Sequence, residues 1–382
     1  MLKLWKFADS ICRRLAFKPL IYGYANARVR AMRTALLSRR QAEELIRIKT
    51  NAGIAEYLTR TPYKEDFAGI PPGINDEERI EIAVSKNFAR VAQKLLRITP
   101  KQAKPLMLAL LGRYDVHNIK TILLARKLGK SRQETEMLLL PAGSIKAHEL
   151  ERMMSAKNAD ELYDAIKSTH FGKKFLASEF SKHLTKAQIQ HALQAQEGML
   201  ELLLSAIDSY HYSVVSSEIV PEDNDSKVVL ELVQKEADAK NIMTIMRLKQ
   251  GKADKQEIPK MMVWGGSLPP KQLEKMIAAK DVLEVAMLAA DFFASHTGKE
   301  EFEKTQKKYE QDHRLSHFEV AFESSLARKS LRALRRSMMS VGTIAGFLFL
   351  KEEEMNNIRK IVRGKALGLS ADQIAQMLVL VE

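Results

Sequence analysis

Apolar residues in three stretches of the chain recur at steps of three and four, the spacing of one helical face rather than the alternation of a strand. Residues 117–144 read HNIKTILLARKLGKSRQETEMLLLPAGS, residues 240–267 read KNIMTIMRLKQGKADKQEIPKMMVWGGS, and residues 356–382 read NNIRKIVRGKALGLSADQIAQMLVLVE. Laid over one another without gaps, at offsets of 123 and 116 residues, they superimpose Asn118, Asn241 and Asn357. The pairs Ile119/Ile122, Ile242/Ile245 and Ile358/Ile361 then coincide, followed by the basic residues Arg126, Lys249 and Lys365. Each stretch next has a Gly, at 129, 251 and 368, where a left-handed cap costs least for a residue without Cβ. Ser131 with Glu134, Asp254 with Glu257, and Ser370 with Gln373 have the spacing of capping boxes that open a second helix. The pattern predicts helix, short turn, helix, three times over.

A weaker front half repeats as AEELIRIK at 42–49, LERMMSAK at 150–157 and LEKMIAAK at 273–280. The breaker clusters Pro141-Ala142-Gly143-Ser144 and Trp264 to Pro270 separate the copies. The expected organisation is an N-terminal extension over 1–19 and helical repeats over 20–143, 144–267 and 268–382. Three copies of an all-helical unit form either an open solenoid or a closed pseudo-threefold body. Each unit exceeds the roughly 34–47 residues of common helical solenoid repeats, and neither end has an atypical capping copy, which favours closure.

Composition narrows the class. Sixty-one Lys and Arg against 47 Asp and Glu leave a net charge of +14, which calls for an anionic partner: nucleic acid, a lipid surface or an acidic protein face. The single thiol, Cys12, allows no disulfide within the chain and fits a reducing compartment. The longest uncharged run, SMMSVGTIAGFLFL from Ser337 to Leu350, is shorter than the ~20 apolar residues of a membrane span and reads as a buried helix. At the N-terminus Leu4, Trp5, Ala8, Ile11, Cys12 and Leu15 fall at helical spacing among scattered Lys and Arg, so this segment is no signal peptide. Such an amphipathic helix suits either an anionic membrane surface or the body of the protein.

The motifs of catalysis are missing. Gly129-Lys130-Ser131 resembles the end of a phosphate loop, but the required earlier Gly falls on Leu124. His313 and His317, four apart, read either as two imidazoles on one helical face with Asp312 and Glu319 nearby, or as a solvated polar face. The recurring Arg126, Lys249 and Lys365 read either as cations offsetting free helix-end carbonyls or, with Arg247 and Arg363, as a partner-facing surface. Asn118, Asn241 and Asn357 fix helix register or bond a neighbouring turn.

The residues also carry a resemblance. YGYANARVRAMR at 22–33, TPYKEDF at 61–67, RYDVHNIKTILLARKLG at 113–129 and NNIRKIVRGKALGLSADQI at 356–374 resemble the family of C subunits of archaeal-type rotary ATP synthases, whose eukaryotic counterpart is the d subunit of the vacuolar proton pump. The resemblance runs in order from residue 20 to 382 and leaves residues 1–19 uncovered. It implies an all-α chain of three repeats closed into a pseudo-threefold funnel, on the cytoplasmic side of the proteolipid ring, with the central rotor shaft in its socket. It further implies a peripheral, non-catalytic coupling element with no cofactor and no metal. The competing reading is a basic helical-repeat module that binds nucleic acid. Against it, Glu43, Glu44, Asp76, Glu77, Glu78 and Glu352 to Glu354 interrupt any basic stripe.

Overall fold

The structure, a computed structural model, describes residues 18–71, 73–194, 199–219, 224–293, 298–336 and 339–380. The amphipathic reading of the N-terminal extension therefore falls on residues outside the described ones. Among the described residues there is no strand. The helices are α1 Lys18–Arg33, α2 Arg39–Arg47, α3 Asn51–Leu58, α4 Asp76–Ile98, α5 Lys104–Lys127, α6 Arg132–Leu138, α7 Ala147–Ser155, α8 Ala159–Ser168 and α9 His170–Leu176. They continue as α10 Lys186–Gln194, α11 Met199–Glu218, α12 Asn224–Gln250, α13 Pro270–Ala278, α14 Val282–Phe293, α15 Gly298–Asp312, α16 Ser316–Arg336, α17 Val341–Ala366 and α18 Ala371–Met377.

The three long helices α5, α12 and α17 carry the repeated Asn and Ile positions, and all six Ile side chains are buried. Each long helix contributes to a core with elements that come before it and elements that come after it. The C-terminal half of α5 packs with α7 to α11, through Ile119, Ile122, Leu150, Ile166 and Phe175. The C-terminal half of α12 packs likewise with α13 to α16, through Ile242, Ile245, Met276, Val285 and Phe318. The third core joins α17 to α1–α4, through Ile358, Ile361, Val29, Leu45 and Phe88. Burying one such side chain is worth about 1.5–3 kcal/mol, so these shared cores hold successive copies together before any polar contact is counted. The uncharged run lies at the start of α17, where residues 341–348 are buried against α16.

Helix ends follow the sequence pattern in two copies of three. Gly129 and Gly368 take the left-handed conformation at φ 64° and 72°, and Ser131/Glu134 and Ser370/Gln373 close reciprocal capping boxes at the starts of α6 and α18. The middle copy departs from this. Gly251 stands one position early, and the left-handed site falls on Lys252 at φ 56°. The backbone bonds Lys130 N to Ala125 O, Ala253 N to Leu248 O and Leu369 N to Gly364 O show the same C-terminal motif in all three copies. The cap position is thus set by helix length, and Lys252 adopts it at a cost of about 1 kcal/mol relative to Gly. Asp254 and Glu257 form no capping box either. The Asp254 carboxylate accepts from Gln256 N at 3.1 Å and the chain continues as a short 3₁₀ turn, Ile258–Met261. Pro259 explains the difference, since it lacks the N–H a second turn of α-helix needs and its ring clashes with the preceding turn.

Candidate functional site

The recurring spacings resolve into three sets of bonds, one within each copy and two that link a copy to its neighbour. Asn118 donates from Nδ2 to Leu140 O at 2.9 Å and accepts Leu140 N–H at 2.7 Å. Asn241 makes the same pair with Val263 at 2.9 and 2.8 Å, and Asn357 with Val379 at 2.7 and 2.9 Å. In each case the partner lies 22 residues on, so a buried amide clamps the extended backbone that leaves the second helix. A side-chain amide suits this place because it offers a donor and an acceptor in one plane, which satisfies a buried N–H and C=O together.

The recurring cation serves a different helix from its own. Arg126 donates to the carbonyls of Met153 and Met154 at 3.1 and 3.3 Å, and to that of Ala156, at the end of α7. Lys249 donates to Ile277 O at 2.5 Å and to Ala279 O, at the end of α13. Lys365 donates to Ile46 O at 2.6 Å, at the end of α2. Each caps free carbonyls where a helix dipole favours positive charge. The third contact spans 319 residues and joins α17 to α2. Arg247 and Arg363 occupy one register position on α12 and α17. They reach Glu319 on α16 and Glu81 on α4, the latter through Nε at 2.5 Å and Nη2 at 2.9 Å.

Six residues of this arrangement escaped the sequence reading. Asp115 accepts Ser144 N–H at 2.8 Å, Ser144 O–H at 2.7 Å and Ile145 N–H at 2.8 Å, just ahead of α7. Asp238 binds Ser267 and Leu268 ahead of α13 in the same way. Glu354 accepts Leu37 N–H at 2.5 Å ahead of α2. All three acids stand three residues before the Asn. A Cβ on Gly143 or Gly266 would overlap the Asp115 or Asp238 carboxylate, which is why the breaker clusters carry glycine there. Burial pushes both Asp carboxyls above their ordinary range, and the bonds from Ile145, Ser144, Leu268 and Ser267 offset part of the shift.

Five residues before each Asn stand Arg113, Glu236 and Glu352, and these meet. Arg113 Nη1 is 3.0 Å from Glu236, its Nη2 pairs with Glu352, and its guanidinium lies over the Phe349 ring at 4.5 Å. Tyr212 O–H donates to Glu236 at 3.1 Å. Burial works against the Arg113 charge, but Glu352, Tyr114 and Glu236 outweigh it and hold its pKa well above the ordinary value. Equivalent turns of α5, α12 and α17 are therefore joined by one cation and two carboxylates.

Beside the Glu354 contact lies a cavity of about 250 Å³, lined by Leu36, Leu331, Leu350, Ile358 and Glu353 among others. Burial, and then Glu323, push the Glu353 carboxyl up to about 8, while Lys360 pulls the other way. An acid raised in the fold gives stability that is complete below its unfolded value near 4.5 and is lost as pH rises through 8. Relative to wild type, Glu353→Gln is expected to gain up to roughly 1.4 kcal/mol per pH unit across that window. Parallel urea titrations of the two proteins from about pH 5 to 9 check this, and curves that stay parallel would exclude it.

His313 and His317 do not share a helical face. α15 ends at Asp312, His313 sits in the break at φ 54°, and His317 Nε2 lies 2.9 Å from Asp312 while Glu319 is taken by Arg247. Among the described residues no three His, Cys, Asp or Glu side chains converge as a metal site, and no helix is long and apolar enough to cross a membrane.

The family of ATP synthase (C/AC39) subunits matches residues 25–377, almost the whole chain. The chain belongs to that family. The C subunit of the A-type ATP synthase of Thermoplasma acidophilum is 23% identical over 361 residues, covering 92% of this chain and 96% of the relative. Those of Methanocaldococcus jannaschii and Methanosarcina acetivorans are 26% and 28% identical over 362 and 371 residues, covering 94% of this chain and 86% and 93% of the relatives. The family is a non-catalytic one, which agrees with the absence of catalytic motifs from the sequence. The comparisons lend no support to the nucleic-acid-binding reading.

Proposed function

We propose that the three repeats, bounded near 20–143, 144–267 and 268–382, close head to tail into a pseudo-threefold funnel that couples the two halves of an archaeal-type rotary ATP synthase. In this reading the chain is a central-stalk element, peripheral to the membrane on its cytoplasmic side. It rests on the proteolipid ring, receives the rotor shaft and passes torque between proton flow and ATP synthesis, or the reverse. The observation that carries it is the recurrence of one set of bonds at all three junctions. Arg126 with Asp115, Lys249 with Asp238, and Lys365 with Glu354 each hold the two ends of the next short helix, and the last pair reaches back to α2.

Such closure suits a rotor part. An open row of helices bends at its free ends, whereas a closed ring shares a twisting load over three junctions and over broad cores. Family membership supplies the complex, and its relatives carry the name of the C subunit of A-type ATP synthase. The test is a pull-down of the tagged chain from its native membranes in mild detergent, with partners identified by mass. Recovery of nucleotide-binding head subunits and a small proteolipid is expected. Recovery of the chain alone would overturn the reading.

A further inference from the structure

Three glutamates in succession, Glu352 to Glu354, leave α17 about 100° apart around its axis and so meet three different surroundings. Glu352 pairs with Arg113, and Glu354 pairs with Lys351 and accepts the Tyr63 hydroxyl at 2.5 Å. Glu323 on α16, the neighbouring acid that acts most on Glu353, has Lys360 at 2.5 Å. Among the described residues only Glu353 of these four acids lacks a cation of its own, and its Oε1 is shut off from solvent with no hydrogen-bond partner. That carboxyl lines the cavity of about 250 Å³ at the seam between the third copy and the first. Exposed Ser38 and Arg39 place the mouth at the start of α2, and Leu331, Leu350, Ile358 and Leu380 line the apolar part. The other polar groups of the wall are engaged: Ser38 in the capping box of α2, Asn357 with Val379, and Arg39 with Glu43 at 3.1 Å. Arg33 has no acid partner among the described residues, but water reaches it, so an anion held there forms a surface pair of little worth.

We propose that this cavity binds a small apolar primary amine, with the ammonium group on Glu353 Oε1 and the hydrocarbon body against Leu331, Leu350 and Ile358. The ammonium supplies the cation that each neighbouring acid already has, through a charge-assisted hydrogen bond. A buried charge is tolerated where it is paired in this way. An apolar cavity of about 150 Å³ holds benzene, so this one has room for about eight to ten non-hydrogen atoms. The ligand would touch α17 of the third copy and the turn after α1 of the first, and so bridge the two. Burial, Glu323 and Glu352 hold the empty site's Glu353 neutral up to about pH 8, with Lys360 opposing; Arg33 on α1 and Arg39 on α2 are the remaining charges of the wall. Binding at neutral pH therefore releases the Glu353 proton to solvent. An alkylammonium, with a pKa near that of lysine, stays charged meanwhile, so affinity should rise about tenfold from about pH 7 to about pH 9.

The test is calorimetric titration of the full-length chain with cyclohexylamine, cyclohexanol and cyclohexanecarboxylate. At about pH 9 cyclohexylamine is expected to bind at least about tenfold more tightly than the other two, the margin of a charge-assisted bond. Glu353→Gln keeps the shape of the wall and should erase that preference. Leu350→Phe, which extends a ring into the cavity from a partly buried position, should cause loss of amine binding, and thermal unfolding of each variant checks that it is folded. Equal binding of amine and alcohol, or amine binding that either folded variant leaves unchanged, would overturn the inference. So would preference for the carboxylate, which would give the cavity to Arg33, and so would a wild-type chain that takes up no cyclohexylamine at all. The coupling reading stands or falls separately, by the pull-down above.

Discussion

Arg113→Met is expected to cost the folded protein about 3 kcal/mol, the low end for breaking a buried ion pair, because it leaves Glu236 and Glu352 as partly buried carboxylates without their cation. Part of the loss is packing, since the guanidinium also covers the Phe349 and Tyr114 rings. The informative companion is Arg113→Met with Glu236→Gln and Glu352→Gln. If desolvated charge dominates, the triple variant recovers much of the loss, as replacement of whole buried ion networks often does. Urea unfolding of both proteins at neutral pH decides the matter. A single variant within about 1 kcal/mol of wild type would mean that water reaches the cluster and that it holds nothing together.

Asp115→Ala is expected to cost about 3 kcal/mol, since three donors on Ser144 and Ile145 lose their common acceptor and two of these are backbone N–H groups. Ser144→Ala removes one of the three bonds and should cost only about 1 kcal/mol. The larger loss should also loosen the connection ahead of α7. Limited proteolysis of Asp115→Ala is therefore expected to cut between Pro141 and Ser144 before any other site, while Ser144→Ala stays intact. Equal cleavage of the two would show that the carboxylate does not hold this segment.

Much of the helical framework was legible because it follows from local chemistry. The six Ile positions, the caps at Gly129 and Gly368 and the boxes at Ser131 and Ser370 stand where the pattern put them, and the repeated segments AEELIRIK, LERMMSAK and LEKMIAAK each run through the end of a short helix. The middle copy misled at Gly251 and Asp254, where a displaced glycine and Pro259 changed the local geometry without erasing the resemblance. The candidate cations at 126, 249 and 365 were visible, but not the helices they cap, because those partners come from the neighbouring copy.

Two sets were hidden for opposite reasons. Asp115 and Asp238 have Glu354 as their third member, one methylene longer and set in a run of three glutamates, so equal function is written with unequal letters. Arg113, Glu236 and Glu352 occupy equal positions with opposite charge. Where copies of one unit meet at a common point, identical charges repel, so the contact demands complementary residues and repeat alignment passes over it. The Glu353 cavity left no signal, since it arises only where α17 comes against the turn after α1.

The bond from Lys365 to Ile46 also orders events in time. During synthesis the carbonyls at the end of α2 must wait until some 319 further residues have been made, whereas those of α7 and α13 lie no more than 30 residues from their own cation. By chain statistics alone the longer loop costs only about 2 kcal/mol more to close, so the delay is kinetic rather than thermodynamic. Until α17 is made, therefore, α2 lacks both the cation that caps its last carbonyls and the apolar surface that covers Leu45 and Ile46.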